Sequence, residues 1–291
     1  ETNRPVECHF SLEGKRAPIP AIACFTPTVR GDRCVIRFPE NVPLMQDPLR
    51  VLGVEKSLKE EIEARMGGKG GGLLLVTADQ SRLTSRLYAS LLVAHVAQGR
   101  SVVSLDWTLT RQIPGISQID CPDDDTMREG LKHAKNAQPD LIGVSTVPNG
   151  EMLKAVLETA QKGLPVVACM TVARGSLVPE MFAAAKVDNM VLVQALAAHV
   201  HAMRVAKLCD ECREPLERTP RNLPDWLKEI DAEKFHAAEG CPACHGTGRG
   251  GEALAADVRL WKEDGIQVVH EREGALRTLV ENGILDPRDL A

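Results

Sequence analysis

An α/β fold built on a doubly wound, mostly parallel sheet is predicted by three features of this 291-residue chain. Short continuous apolar runs, such as Leu73-Leu74-Leu75-Val76 and Val166-Val167-Ala168-Cys169, mark strands buried on both faces. Helix-length stretches separate these runs, and strand alternating with helix is the pattern of a parallel sheet. A composition of 44% hydrophobic and 26% charged residues is ordinary for a globular protein, so both faces of such a sheet can be covered.

Residues 1–45 read as β-rich and turn-rich. Pro18, Pro20, Pro27, Pro39 and Pro43 punctuate runs such as Cys34-Val35-Ile36-Arg37-Phe38. Residues 46–72 form a linker, with a short helix over Ser57–Met66 and the flexible run Gly67-Gly68-Lys69-Gly70-Gly71-Gly72. The α/β core spans 73–208. Its strands are expected at Leu73–Val76, Val102–Leu105, Leu141–Val144, Val166–Cys169 and Met190–Val193. Helices are expected over Ser81–Gln98, Glu151–Lys162 and Pro179–Lys186. Another should run to about Ala137 from Thr126-Met127-Arg128-Glu129, which has the spacing of a capping box. Asp123-Asp124-Asp125 then reads as a solvated loop before that cap. A cysteine-rich module covers 209–250, and 251–291 is expected to be a helical end.

Composition also excludes some functions. A net charge of −5 and 3% aromatic residues give neither the basic footprint nor the stacking surface of a nucleic-acid binder. No stretch reaches the ~18 apolar residues of a membrane span. The N-terminus has no signal-peptide core and no initiator Met, as expected of a trimmed chain. Five of nine cysteines, Cys8, Cys24, Cys34, Cys121 and Cys169, are scattered singly and are expected to be buried thiols in a reducing, intracellular compartment. His199 and His201 have no acidic partner nearby in sequence and read as surface or packing residues.

The other four cysteines form two C-x-x-C pairs, Cys209/Cys212 and Cys241/Cys244, separated by 28 residues. Each pair suits a knuckle that aims two thiolates at one point, and two knuckles complete a tetrahedral four-thiolate site. Structural zinc is the expected occupant, since no open coordination position is implied.

Lys69 within the glycine run superficially suggests a phosphate loop. Such a loop follows its strand and leads into a helix, so that amides and the helix N-terminus face the phosphates. This run precedes the strand and is a linker. The stretch that does follow the strand, Thr77-Ala78-Asp79-Gln80-Ser81-Arg82-Leu83-Thr84, contains no glycine and places Asp79 where anionic phosphate would sit. Arg82 and Arg86 are weak candidates for an anion site there, with solvent-facing helix charges as the default.

Several segments together resemble the assembly ATPases of type II secretion and type IV pili. Pro27-Thr28-Val29-Arg30-Gly31-Asp32-Arg33-Cys34-Val35-Ile36-Arg37 is similar to the family's P-T-x-x-G-E-x-x-V-x-R segment. Leu73–Thr77 resembles the strand before its Walker A loop, Leu87-Tyr88-Ala89 its L-Y-A, and Ile113-Pro114-Gly115-Ile116-Ser117-Gln118 its L-P-G-I-N-Q. Pro139-Asp140-Leu141-Ile142 is similar to the start of its Walker B strand. The most specific match is Gly240-Cys241-Pro242-Ala243-Cys244-His245-Gly246-Thr247-Gly248, against G-C-x-x-C-x-G-T-G. The resemblance implies a RecA-like core preceded by part of a PAS-like domain, with a tetracysteine zinc module.

The departures from the family pattern fall on its chemistry. Leu83 stands at the Walker A lysine, although Thr84 keeps the hydroxyl that binds magnesium. Asp106 keeps the first acid of the aspartate box, but Trp107-Thr108 replaces Asp-Pro. Ser145-Thr146 replaces the Walker B Gly-Glu, Thr171 stands at the histidine of the histidine box, and Ile22 replaces an arginine while Arg37 remains. Loss of a general base costs about 10²–10⁴ in rate, and loss of a phosphate-clamping charge about 10²–10³. The resemblance therefore implies a pseudo-ATPase with impaired binding of ATP and Mg²⁺, acting as a structural or regulatory subunit of a secretion or pilus machine. An active but divergent ATPase that uses Asp106 and Thr84 is the alternative. Family members work as rings against an inner-membrane platform, so the implied partners are platform proteins and like or related ATPase subunits. The implied location is the cytoplasm, at the inner membrane through those partners.

Overall fold

The computed structural model describes residues 6–13, 19–38, 43–67, 71–107, 109 and 111–290. Pro18, Pro39, Lys69 and Thr108 lie outside them, as does the side chain of Arg37. Three antiparallel strands come first, in the order β1 (Val6–Leu12), β2 (Ile19–Thr28) and β3 (Gly31–Arg37). Val6, Phe25 and Cys34 are cross-strand partners and so share a face. Cys8 and Cys34 are exposed and Cys24 is half-buried, which corrects the expectation of burial for these three. A small meander leaves its strand faces open, whereas Cys121 and Cys169 lie within the thick core and are buried as expected.

Helices α1 (Pro48–Val51) and α2 (Lys56–Gly67) lead into the core. There the chain alternates β4 (Leu73–Ala78), α3 (Ser81–Ala97), β5 (Val102–Asp106), β6 (Ile116–Asp120), α4 (Asp124–Asn136), β7 (Leu141–Val144), α5 (Gly150–Gln161) and β8 (Val166–Thr171). Two short helices, α6 (Val178–Ala184) and α7 (Asn189–Ala195), precede the long β9 (Leu196–Leu208). Beyond it come β10 (Arg213–Pro215), α8 (Asp225–Lys228), β11 (His236–Ala238), β12 (Arg249–Lys262), β13 (Gly265–His270) and α9 (Arg272–Glu281).

The main sheet has eight strands in the order β13-β12-β9-β4-β8-β7-β5-β6. From β9 to β6 all pairings are parallel, while β12 and β13 add antiparallel to the far edge. Every residue of β4, β5 and β7 is buried, as continuous apolar runs require of strands covered twice. One face packs on α1, α2 and α3 through Leu52, Ile62, Leu87 and Leu92. The other packs on α4 to α7 through Met127, Val156, Phe182 and Leu192. Leu227, Phe235, Leu276 and Val280 form a third, smaller core beside the distal part of β12.

Four expectations change. Met190–Val193 lies in helix α7, not in a strand, because Asp188 accepts a hydrogen bond from the Met190 amide and caps it. Leu192 and Ala195 are buried three residues apart while Met190 is 51% exposed, a helical period that a four-residue apolar run conceals. Helix α4 begins two residues early. Asp123 is the cap, accepting from the Thr126 amide at 2.8 Å, and Thr126 Oγ1 accepts in return from the Asp123 amide at 3.2 Å. Asp124 and Asp125 thus occupy the first helical turn, where acidic groups suit the dipole. Segment 251–291 is not helical throughout, since most of β12 and all of β13 precede α9. Strand β12 is buried on both faces over much of its length, with Ala253, Ala255 and Trp261 enclosed on one side and Ala256, Val258 and Leu260 on the other. Finally, Ile116–Asp120 forms the edge strand β6, whose half-exposed residues lack the apolar run of the central strands.

His95 on α3 is buried, and that burial, reinforced by nearby Arg100, pulls its imidazole down to about 4. The unfolded chain protonates this group near pH 6.5. Between about pH 6.5 and 4 the unfolded state therefore takes up a proton that the native state refuses. This contribution is intact above pH 6.5 and is lost on acidification, at up to about 1.4 kcal/mol per pH unit. Denaturant titrations of His95→Gln across this window should show a flatter pH dependence than the parent. An identical slope would remove His95 from the account.

Candidate functional site

Parallel pairing brings the carboxyl ends of β4, β8, β7 and β5 side by side, the edge at which open α/β sheets bind ligands. Asp79, Asp106, Thr146 and Thr171, far apart in sequence, follow or end these four strands and so meet at that edge. Thr146 is half-buried, Thr171 is exposed, and Asp106 is only 5% exposed.

The turn that would hold phosphate is very short. Strand β4 ends at Ala78 and α3 begins at Ser81, leaving Asp79 and Gln80 between them. Gln80 is the cap residue, and its side chain makes no capping hydrogen bond. Leu83 points into the core, 5% exposed among Met45, Leu87 and Leu91. Thr84 is buried, and both its amide and its hydroxyl donate to the Gln80 carbonyl, at 3.1 Å and 3.0 Å. The hydroxyl expected to face a metal is turned onto its own helix. Arg82 is exposed, and half-buried Arg86 donates from Nε to the Pro43 carbonyl at 3.2 Å, which ties α3 to the preceding segment.

Asp106 is the centre of a polar network. Its Oδ2 accepts from Ser104 Oγ and from Gln118 Nε2, both at 2.9 Å. Gln118 also donates to the Arg111 carbonyl at 3.1 Å and accepts from the Ile113 amide. Burial raises the Asp106 carboxyl, against the lowering effect of these donors. The neighbouring Tyr88 hydroxyl is held well above its usual range, first by burial and then by the Asp106 charge. Tyr88 and Gln118 enter the sequence reading only as letters of matched motifs. Their convergence on Asp106 depends on β5–β6 pairing and on α3 lying over β5 and β7.

The four-cysteine group lies elsewhere. Strand β9 continues from Ala202, the partner of Ala78, to Leu208, about 20 Å beyond the end of β4 at ~3.3 Å per residue. Cys209 and Cys212 follow it, and Cys241–Cys244 form a short 3₁₀ turn after β11. All four sulfurs lie within 4.8 Å of one another, with Cys209–Cys241 and Cys212–Cys244 each at 3.9 Å and Cys241–Cys244 at 3.8 Å. Tetrahedral thiolates about 2.3 Å from one ion lie about 3.8 Å apart, so the group fits a four-coordinate metal. The amides of Cys241 and Gly248 donate to Cys244 Sγ at 3.1 Å and 3.2 Å, and they pull that thiol down to about 6. Glycine is required at two positions of this module. A Cβ on Gly240 would meet the Gly246 carbonyl at 2.4 Å, and one on Gly248 the Ala238 carbonyl at 2.4 Å, both with positive φ.

The fold is that of secretion ATPases. It superposes on the ATPase DotB of Legionella pneumophila with a TM-score of 0.58 at 14% identity, over 99% of this chain and 76% of that one. The pilus retraction motor PilT, solved with bound ADP, gives a TM-score of 0.53 at 14% identity, over 94% of this chain and 66% of that one. In sequence, type II secretion system protein E of Pectobacterium carotovorum subsp. carotovorum is 22% identical over 254 residues, covering 86% of this chain and 50% of its own. Type II secretion system protein HxcR of Pseudomonas aeruginosa is 21% identical over 296 aligned positions, covering 97% of this chain and 59% of its own. The profile of the Type II/IV secretion system protein family matches residues 5–283. The chain belongs to that family, and it spans between a half and three-fifths of the length of these two curated relatives. Among the described residues, no helix is long and apolar enough to cross a membrane.

Proposed function

We propose that this chain is a non-hydrolysing member of its family that serves a secretion or pilus assembly machine through protein contacts. The observation that carries this reading is the two-residue Asp79–Gln80 turn, with Leu83 in the core behind it. A polyphosphate needs several loop amides and a cation, and this turn offers an acid and a buried leucine. Thr146 and Thr171 carry neither a general base nor an imidazole. The supporting partners are an inner-membrane platform protein and like or related ATPase subunits, which would hold the chain at the inner membrane from the cytoplasmic side. The four thiolates would keep a structural zinc that braces the module beyond β9.

Calorimetric titration with ATP and Mg²⁺ is expected to show no binding, and phosphate release no turnover above background. Leu83→Lys is expected to cost about 2–3 kcal/mol in stability, since it trades a packed side chain for a charge, and to restore no activity. Turnover that Asp106→Ala abolishes would overturn the proposal in favour of a divergent but active ATPase.

A further inference from the structure

The eight-stranded sheet ends on an edge that its own sequence leaves open. Strand β13, Gly265-Ile266-Gln267-Val268-Val269-His270, is outermost and pairs only with β12 among the described residues. Lys262 and Gly265 pair across a two-residue turn, so they exchange both backbone hydrogen bonds, as do Leu260 and Gln267 two residues on. Ile266 and Val268 therefore direct their N–H and C=O groups away from β12. Their side chains are 44% and 42% exposed, on the face that they share with Trp261 and Arg259. Sheet edges are ordinarily blunted by lysine, proline or a charge placed inward, and β13 contains none of these. Its one irregularity is the extra residue Val269, since Val268 pairs with Arg259 and His270 with Val258. Val269 packs instead on the core beneath α2, as Leu58 does.

Acidic groups frame both ends of this edge. Glu263 and Asp264 form the turn at one end. At the other, a cavity of about 330 Å³ opens between α2 and the end of β13, lined by Glu55, Ser57, Leu58, Glu61, Val269 and His270. Glu271 and Glu273 follow at the start of α9. These six carboxylates are exposed, and none has an ion-pair partner among the described residues. Of the cations nearby, Lys262 is exposed, Lys56 lies 3.7 Å from Glu60, and Arg272 lies 3.7 Å from Asp257. A cavity with Leu58 and Val269 for a stem and two carboxylates for a head suits a lysine or arginine side chain.

We propose that the open edge of β13 receives an extended, basic segment of a partner protein, which adds a ninth strand to the sheet. The backbone groups of Ile266 and Val268 pair with the incoming strand, and apolar residues at alternate positions of that strand cover their side chains. A lysine or arginine at one end of the segment enters the cavity, with its charge at Glu55 and Glu61. A second basic residue meets Glu263 and Asp264 at the other end. A second copy of this chain is a poor occupant. An antiparallel copy that pairs Ile266 with the partner's Val268 sets Glu263 opposite the partner's Glu271, and a parallel copy sets each acidic end against its like. The surface serves the protein contacts proposed above and rests on that reading only for the origin of the segment.

Titration of the intact chain with a blocked peptide of alternating threonine and valine, with arginine at both ends, tests the edge. Binding should saturate. Amide exchange at Ile266 and Val268 should then slow at least about tenfold, while that at Gln267, already bonded to β12, changes little. The same peptide with glutamate ends, or with N-methylated valines, should bind at least about tenfold more weakly. Ile266→Lys, which supplies the missing edge charge, and the double substitution Glu55→Gln with Glu61→Gln should each weaken binding at least about fivefold and keep the parent's melting. Absence of saturable binding, equal binding of the glutamate peptide, unchanged exchange at Ile266 and Val268, or parental affinity in both variants would each overturn the proposal. So would light scattering that finds the parent dimeric and the Ile266→Lys chain monomeric, since a second copy would then hold the edge. Nucleotide is absent throughout, so failure here leaves the non-hydrolysing reading standing, and ATP turnover would leave the edge standing.

Discussion

Replacing Cys241 with serine is expected to unfold the 209–250 module and to abolish metal retention. With zinc bound, elemental analysis of the parent should give about one ion per chain, as four thiolates define one tetrahedral site. Structural zinc contributes on the order of 10 kcal/mol of apparent folding free energy in small modules. Little else holds this one: β10 and β11 are three residues each, and its own apolar anchors are few, among them Leu223, Leu227, Ile230 and Phe235. Without a cation Cys212 and Cys244 do not share one charge state at ordinary pH, because backbone amides draw Cys244 down to about 6 while burial drives Cys212 up to about 12. Chelation should therefore reproduce the serine phenotype, with proteolysis confined at first to 209–250 while the eight-stranded sheet persists. Metal-free protein that melts like the parent would dispose of the structural-zinc reading, and it would leave the non-hydrolysing reading untouched.

The second large effect is expected at Trp261. This side chain, 1% exposed, sits on β12 and meets Phe182 of α6 edge-on, with ring centroids 5.6 Å apart and planes at 85°. It joins the antiparallel hairpin to the helices covering the parallel strands. Trp261→Ala should cost about 3–5 kcal/mol, the usual range for emptying an aromatic site in a core that cannot fully collapse. Phe182→Ala should fall in the same range. A double-mutant cycle should then return a coupling of about 0.5–1.5 kcal/mol for the edge-to-face pair. Denaturant midpoints at constant slope measure all three, and a loss below about 1 kcal/mol at Trp261 would mean that the hairpin is not part of the cooperative core. Phe25→Ser, on the 42% exposed surface of β2, is the natural control and should change little.

How much of the molecule could be read from its residues varies with burial. Strands β4, β5, β7 and β8 are evident because enclosure on both faces demands unbroken apolar runs. The four-cysteine cluster is evident because C-x-x-C spacing is local chemistry that needs only one further contact to close. The antiparallel strands β12 and β13 are not evident, since β12 carries Asp257 and Arg259 within a stretch buried on both faces, which breaks both the apolar run and the clean alternation, and β13 lies at the sheet edge. Helix α7 is misread as a strand because four apolar residues carry no period.

Sequence by itself determined the class of fold, the pairing of four cysteines into two C-x-x-C knuckles and the absence of a lysine and glycines from the turn after β4. Each of these is a matter of residue type and short-range spacing. Tertiary structure alone decided that Thr84 bonds to its own helix, that Asp106 gathers Ser104 and Gln118, and that His199 and His201 share one hydroxyl with Thr77. It also decided which cysteines are enclosed, leaving Cys8 and Cys34 at the surface. Such facts depend on strand register and on which faces are covered. A pairing across more than a hundred residues, such as Thr77 with His201, leaves no mark in the local sequence. A shift of one residue in that register would have turned both histidines to the opposite face.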